Sequence, residues 1–347
     1  MHTLVTAILV FALMILFHEL GHFVAAKLSG IKVHEFSIGF GPKLVSLTHR
    51  DTLYAIRVLP LGGYVRMAGM ESDDLDDPNG FNRKPVGQRA GVIFAGPFMN
   101  FVLALLLFVF TFTVIGIPTL SNSNVIGEVL PGRPAAKAGM MANDRVVAAN
   151  GQPVTNWDDL VRVVHANPER EITLKVVRQG KEILLKVTPT LEPQAKVGQI
   201  GIRQTVTLHR LGFMEGVETG LKQTWALTVA VLSSIVQLIT GTAPPGGLAG
   251  PVGITHMIGE AAQGGLAYLL NFAGILSINL GLINLLPIPS LDGSRLIFLS
   301  VEGIRGKPVE PDKENLIHMI GFALLMVLFL VITYNDILRL FGQTKLS

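Results

Sequence analysis

The chain contains no cysteine. Disulfides, thiolate nucleophiles and sulfur metal ligands are therefore excluded, and any zinc has to be held by histidine and carboxylate. Charge is scarce too. Asp, Glu, Lys and Arg make up 15% of 347 residues against 49% hydrophobic, with a net charge of +3 and a mean hydropathy of +0.50. That is the profile of an integral membrane protein carrying some soluble mass. No basic block is interleaved with aromatics, so nucleic acid is not among the expected partners. No Lys or Arg precedes the first hydrophobic run, so the basic n-region of a cleaved signal peptide is missing.

That first run holds the most informative residues. Positions 4–17 read LVTAILVFALMILF, His18-Glu19-Leu20-Gly21-His22 follows, and Phe23-Val24-Ala25-Ala26 resumes the apolar stretch. Ionisable groups at membrane depth cost about 2.5–3.5 kcal/mol each even on lenient scales, which marks them as functional candidates. On a helix, residues i and i+4 lie one above the other, so His18 and His22 can offer imidazoles to one ion. Glu19 is turned about 100° from that face, placed to reach a water on the ion without ligating it. This is the H-E-x-x-H arrangement, in which zinc activates water and the glutamate is general base.

Further stretches approach the ~20 residues needed to cross a bilayer: 92–115, 266–288 and 317–332, with a shorter, more polar candidate at 224–239. Residues 32–89 are mixed. From 52 to 67, β-type residues flank Pro60-Leu61-Gly62-Gly63, which predicts a hairpin or sharp turn there. Asp73, Asp74, Asp76 and Asp77 lack calcium-loop spacing and read as a solvated acidic loop. Residues 121–190 change to a soluble pattern. Strands are expected at 125–129, 172–177 and 183–187, a turn at 178–181 and a helix at 157–165.

Two histidines do not complete a catalytic zinc site, which takes three protein ligands. At the end of the third span, Asn284-Leu285-Leu286-Pro287-Ile288-Pro289-Ser290-Leu291-Asp292-Gly293 breaks the helix with two prolines and then presents Asp292. Broken helix at membrane depth is tolerated only beside protein or a water-filled cavity. Taken alone, the segment is equally a plain helix end with Asp292 in interfacial water. His2, His34, His49, His165, His209, His256 and His318 have no partner at ligand spacing and read as surface or structural. For Asp292 to meet His18, the first and third spans must run in the same direction, which predicts that 224–239 does not fully cross. Residues 27–89 hold nine Lys and Arg, which favours this loop as cytoplasmic and 121–220 as exterior.

Six stretches together resemble the bacterial site-2 protease family, the group that includes the regulator-of-sigma-E protease. They are FHELGH at 17–22, SIGFGPKL at 37–44, PLGGYVRM at 60–67, AGPFMN at 95–100, GPVGI at 250–254 and NLLPIPSLDG at 284–293. The resemblance covers nearly the whole chain. It implies a polytopic α-helical membrane protein with about four transmembrane helices, a membrane-associated β-hairpin and one inserted α+β PDZ domain. By position it makes His18, His22 and Asp292 ligands of Zn2+ and Glu19 the catalytic base. It also makes Asn284 a substrate-holding residue, and gives Gly62, Gly63 and Tyr64, within the hairpin motif, to pairing with substrate as an added strand. Residues 129–154 resemble the strand, short helix and hairpin of a bacterial protease PDZ domain, which would bind a peptide carboxylate or act as a size filter.

The organisation expected is an N-terminal membrane region at 1–118, the PDZ domain at 119–192, a connecting region at 193–262 and a C-terminal membrane region at 263–347. The implied activity is zinc-dependent hydrolysis of peptide bonds inside transmembrane segments. Its substrates would be single-span membrane proteins, such as a pre-trimmed anti-sigma factor or remnant signal peptides. The expected location is the bacterial inner membrane, with the active site toward the cytoplasm and the PDZ domain outside. The alternative is a proteolytically inactive PDZ-bearing scaffold.

Overall fold

The computed structural model describes residues 2–70, 74, 76–242 and 249–343. The chain forms two compact units, one from 1–115 with 211–347 and the other from 116–210. Helices of the first unit are α1 (His2–Leu28), α2 (Val86–Phe110), α5 (Phe213–Ile239), α6 (Pro251–Gln263), α7 (Leu266–Leu285), α8 (Asp292–Arg305) and α9 (Pro311–Gln343). Between α1 and α2 run two long strands, β1 (Val33–His49) and β2 (Thr52–Met67). Among the described residues five helices are long and apolar enough to cross a membrane: α1, α2, α5, α7 and α9. The additional candidate is α5, which begins eleven residues before the 224–239 stretch read from the sequence.

Contacts fix the helix directions around α2. His22 meets Val92 while His18 meets Asn100, so α1 and α2 are antiparallel. Ser277 bonds to Asn100 and Gly274 packs on Phe108, so α7 runs back along α2 in the direction of α1. Spans one and three thus share a direction, as the pairing of His18 with Asp292 requires. Gly216 and Gly220 of α5 meet Thr113 and Val109, so α5 also opposes α2. α5 and α7 therefore share a direction, with α6 between them in the chain. The parity argument against a crossing by 224–239 therefore loses its premise. Ala7, Val10, Met14, Leu103, Ile258, Ala273 and Leu276 form an apolar core shared by α1, α2, α6 and α7.

β2 reverses direction between Ile56 and Gly63, since 53–56 runs parallel to 35–38 and 63–67 antiparallel to it, so the turn expected at Pro60-Leu61-Gly62-Gly63 falls in the reversing stretch. A tight reversal also lies at Arg50-Asp51, both in the left-handed region (φ 45° and 59°), as a two-residue hairpin turn demands. Both strands then curl. Ser37 pairs with Tyr64 on one side and Ala55 on the other, while Leu47 pairs with Tyr54. Residues 33–38 are thus enclosed between 63–67 and 53–56, and 63–67 forms an edge. The expected solvated acidic loop is partly tied down: His34 Nε2 lies 2.6 Å from Asp74 Oδ2, and Lys32 Nζ 3.3 Å from Asp77 Oδ2. Asp73 falls outside the described residues.

The second unit is built from β3 (Ile117–Leu120), β4 (Ile126–Val129), α3 (Pro134–Lys137), β5 (Arg145–Ala149), β6 (Gln152–Pro153), α4 (Trp157–His165), β7 (Ile172–Arg178) and β8 (Lys181–Val187). Four short strands complete it: β9 (Thr190–Glu192), β10 (Val197–Gln199), β11 (Ile202–Gln204) and β12 (Val206–His209). The main sheet has the order β6-β5-β7-β8. α4 is capped by Asn156, whose side chain accepts from the Asp159 N–H at 2.9 Å. Its apolar face buries Trp157, Leu160 and Val164 against Ile126, Val146, Leu174 and Val176. The unit extends past residue 192 because β11 pairs with β4 and β12 with β3.

Candidate metal centre

His18 Nε2 and His22 Nε2 stand 3.2 Å apart, one helical turn separating them on α1. Asp292 Oδ2 lies 3.2 Å from the first and 3.4 Å from the second. A tetrahedral zinc with bonds of about 2.0–2.1 Å sets its donors roughly 3.3 Å apart, so the triangle has the right size for that ion. Asp292 Oδ2 is buried and accepts no hydrogen bond among the described residues. A carboxylate oxygen in that state carries an uncompensated desolvation cost unless a cation offsets it. The donor set and its packing thus fit a zinc ion.

Asp292 is delivered by the helix break. α7 ends at Leu285, and Pro287 and Pro289 prevent it from continuing. Short turns then fold the chain back, with Ile288 N–H donating to the Leu286 carbonyl and Leu291 N–H to that of Ile288. Asp292 opens α8, where the helix dipole favours a negative charge. Arg89 of α2 bonds bidentately to Glu302 of α8, Nη1 to Oε2 at 3.0 Å, anchoring the helix that carries Asp292. His318, read from the sequence as surface or structural, braces the break: its Nδ1 accepts from the Ser290 N–H at 2.9 Å.

The second helix holds the two histidines in place. His22 Nδ1 donates to the Val92 carbonyl at 2.9 Å, which leaves Nε2 unprotonated toward the site. Gly96 of α2 faces the same ring. A methyl group there would lie 2.5 Å from His22 Cε1, and one on Gly21 would collide with the Ala95 backbone. Glycine at both positions lets α1 and α2 approach closely enough for this contact. Asn100, fully buried, places Nδ2 3.1 Å from His18 Nδ1. None of these partners was singled out by residue pattern. AGPFMN at 95–100 contains two of them, but their roles depend on what α1 brings opposite.

A cavity of about 470 Å³ opens on these three donor atoms. Glu19, Tyr64, Asn284, Arg295 and His318 line it with them. Of the hairpin residues, Gly63 abuts the Glu19 side chain, leaving 3.0 Å between Glu19 Cγ and any Cβ at 63. Gly62 instead sits under the Phe40 ring. Tyr64 is fixed by Arg57, which also bonds to Glu35 at 2.6 Å and Ser37 at 2.8 Å. Burial of the Tyr64 hydroxyl, with Glu35 beside it, pushes its pKa up and keeps it protonated. The Glu35 carboxyl, although burial opposes this, is held below the usual range by Arg57 and Tyr64. A second convergence of acids, His34 with Asp74 and Asp77, lies apart from this cavity's lining.

Comparison with known proteins places this geometry in context. "Zinc metalloprotease RasP" of Geobacillus kaustophilus is 35% identical, covering 98% of this chain and 99% of the relative. "Regulator of sigma-W protease RasP" of Bacillus subtilis is 34% identical, with 98% and 99% covered. The PDZ domain of an SdrC-like protein from Listeria innocua superposes on 26% of this chain and 99% of its own, at 18% identity and a TM-score of 0.22. The profile of Peptidase family M50 matches residues 6–328, which takes in the histidine pair, the hairpin and the break before Asp292. The chain belongs to Peptidase family M50.

Proposed function

We propose that this protein is an intramembrane zinc metalloprotease that cleaves peptide bonds within transmembrane segments of other membrane proteins. One observation carries the reading. Three metal-donor atoms converge beside Glu19 within a bundle of membrane-length apolar helices. His18, His22 and Asp292 would hold the ion. When bound, zinc polarises a scissile carbonyl and makes water a competent nucleophile near neutral pH. Glu19 takes the proton from the attacking water and returns it to the departing amide nitrogen.

The remaining residues prepare the substrate. A helical segment hides its amides in i→i−4 bonds and has to unwind before attack. The 63–67 edge pairs with 33–38 on one side, and no described strand pairs with its other side. It runs past Glu19 at Gly63, so an unwound segment added there is presented at the site in extended form. Asn284, in the last turn of α7, lines the same cavity and is assigned to holding that segment. The unit at 116–210 is assigned as a PDZ domain. The excess of Lys and Arg in 27–89 supports a cytoplasmic hairpin side. Single-span proteins, an anti-sigma factor trimmed outside the membrane or remnant signal peptides, are the substrate class. The B. subtilis relative, named as a regulator of sigma-W, supports the first.

The test is cleavage of tagged single-span proteins by purified enzyme in detergent, wild type beside Glu19→Gln, with bound zinc measured. Product from wild type alone, and lost zinc in Asp292→Ala, is the expected result. A wild-type protein without zinc or product refutes the proposal and favours a scaffold.

A further inference from the structure

The two histidines face the same chemical requirement. A neutral imidazole that ligates through Nε2 carries its proton on Nδ1, and that N–H needs an acceptor when buried. For His22 the acceptor is the Val92 carbonyl. For His18 the group within reach is the amide of Asn100, at 3.1 Å from Nδ1. Asn100 is 0% exposed, and its Oδ1 has no partner among the described residues. A half-turn of the amide exchanges Oδ1 and Nδ2, so that Nδ1–H of His18 donates to Oδ1. In the opposite orientation the amide would donate to Nδ1 and force the proton onto Nε2, into the ligand triangle.

We propose that Asn100 is the positioning residue for His18, its amide oxygen fixing the imidazole as the tautomer whose Nε2 is free to bind metal. The inference rests on the metalloprotease reading above. Its placement is built into the bundle. Asn100 sits two turns along α2 from Val92, so one helix serves both histidines. Its own backbone carbonyl is held at 2.8 Å by Ser277 Oγ of α7, itself fully buried. Gly281, one turn on, packs against the Asn100 Cβ, which limits movement of the residue. Three helices therefore define where this amide points.

The test measures zinc affinity by competition with a chromophoric chelator on full-length protein in detergent, with Co2+ absorption spectra recorded in parallel. Variants are Asn100→Leu, which removes the acceptor at similar size, and Asn100→Asp, which keeps an oxygen in place. His22→Ala serves as the ligand-loss control. Melting of the metal-free proteins shows which are folded, and Asn100→Ala substitutes if the leucine variant is not. Loss of such an outer partner lowers metal affinity about 10–100-fold, which is the expectation for Asn100→Leu, with an altered cobalt spectrum. Asn100→Asp should restore both. Wild-type affinity in folded Asn100→Leu overturns the proposal, as does a folded Asn100→Asp that binds as weakly as the leucine variant. Absence of zinc from wild type and His22→Ala alike removes the metalloprotease reading and this inference with it.

Discussion

Replacing Gly96 by alanine puts one methyl group where the His22 ring now lies. The added carbon would stand 2.5 Å from Cε1 and 2.8 Å from Cδ2. Carbon contacts settle at about 3.5–4.0 Å, so something has to move by roughly 1 Å. The ring is tied at Nδ1 to Val92, and the helices are already in contact at Gly21 and Ala95. Whichever gives way, Nε2 leaves a triangle whose sides are 3.2–3.4 Å. Zinc sites tolerate about 0.2 Å in ligand distance, a fifth of that displacement. Zinc affinity should fall by at least about 100-fold, cleavage should fall with it, and overpacking should cost about 1–3 kcal/mol of stability. Gly91, in the same helix, has nothing within 4 Å of its Cβ position. Gly91→Ala should gain about 0.5–1 kcal/mol and leave zinc and cleavage unchanged. Chelator competition, cleavage of a tagged single-span protein and thermal melting in detergent read all three quantities. Gly96→Ala with wild-type zinc affinity would refute the reasoning, because the close approach would then not be what positions His22.

Glu19→Gln should keep zinc and lose about 10²–10⁴-fold in cleavage rate, checked by metal analysis beside the cleavage assay. Gly63→Val drives a side chain toward Glu19 Cγ and the Ser37 carbonyl, so it should block cleavage while zinc stays bound; unchanged cleavage would count against the 63–67 edge as a substrate strand. In the 116–210 unit, the buried Asp144 carboxyl accepts from Arg178 Nε and Nη2 at 2.7 Å and from the Met141 N–H at 2.9 Å. Burial works against ionisation there, but those donors outweigh it and hold the carboxyl below its ordinary value. The stability this adds is complete above about pH 4 and is lost as pH falls through the lowered folded-state value. Arg178→Ala at neutral pH should cost about 2–3 kcal/mol. Denaturant unfolding followed by Trp157 fluorescence, in a Trp225→Phe background, tests both, and Asp144→Asn should remove the acid dependence.

Much of the site was legible where the signal is local. His18, Glu19 and His22 lie within one and a half helical turns, and a period of 3.6 residues alone puts both imidazoles on one face. α4 at Trp157–His165 was legible for the same reason, from its helical spacing. The reversal around Pro60-Leu61-Gly62-Gly63 was legible from its turn composition, whereas the turn at Arg50-Asp51, with neither Gly nor Pro, was missed. At the end of that reversal Gly62 takes a φ of 129° beneath Phe40, and Gly63 lets the strand pass Glu19 closely. The soluble unit was drawn short at 192 because β11 and β12 pair with strands some 75–90 residues earlier, and pairing partners leave no local trace.

By itself the sequence determined the apolar spans, the paired histidines with their glutamate, and the helix break that carries Asp292, all properties of short stretches under near-neighbour geometry. Only the tertiary structure decided that Asp292 meets the two histidines and that Val92 and Asn100 stand against their rings. It alone showed that Gly96 makes room for one of them and that the 63–67 edge faces Glu19. Each of those is a contact between residues tens to hundreds of positions apart, set by how helices and strands pack, and no single stretch of chain contains both halves of it.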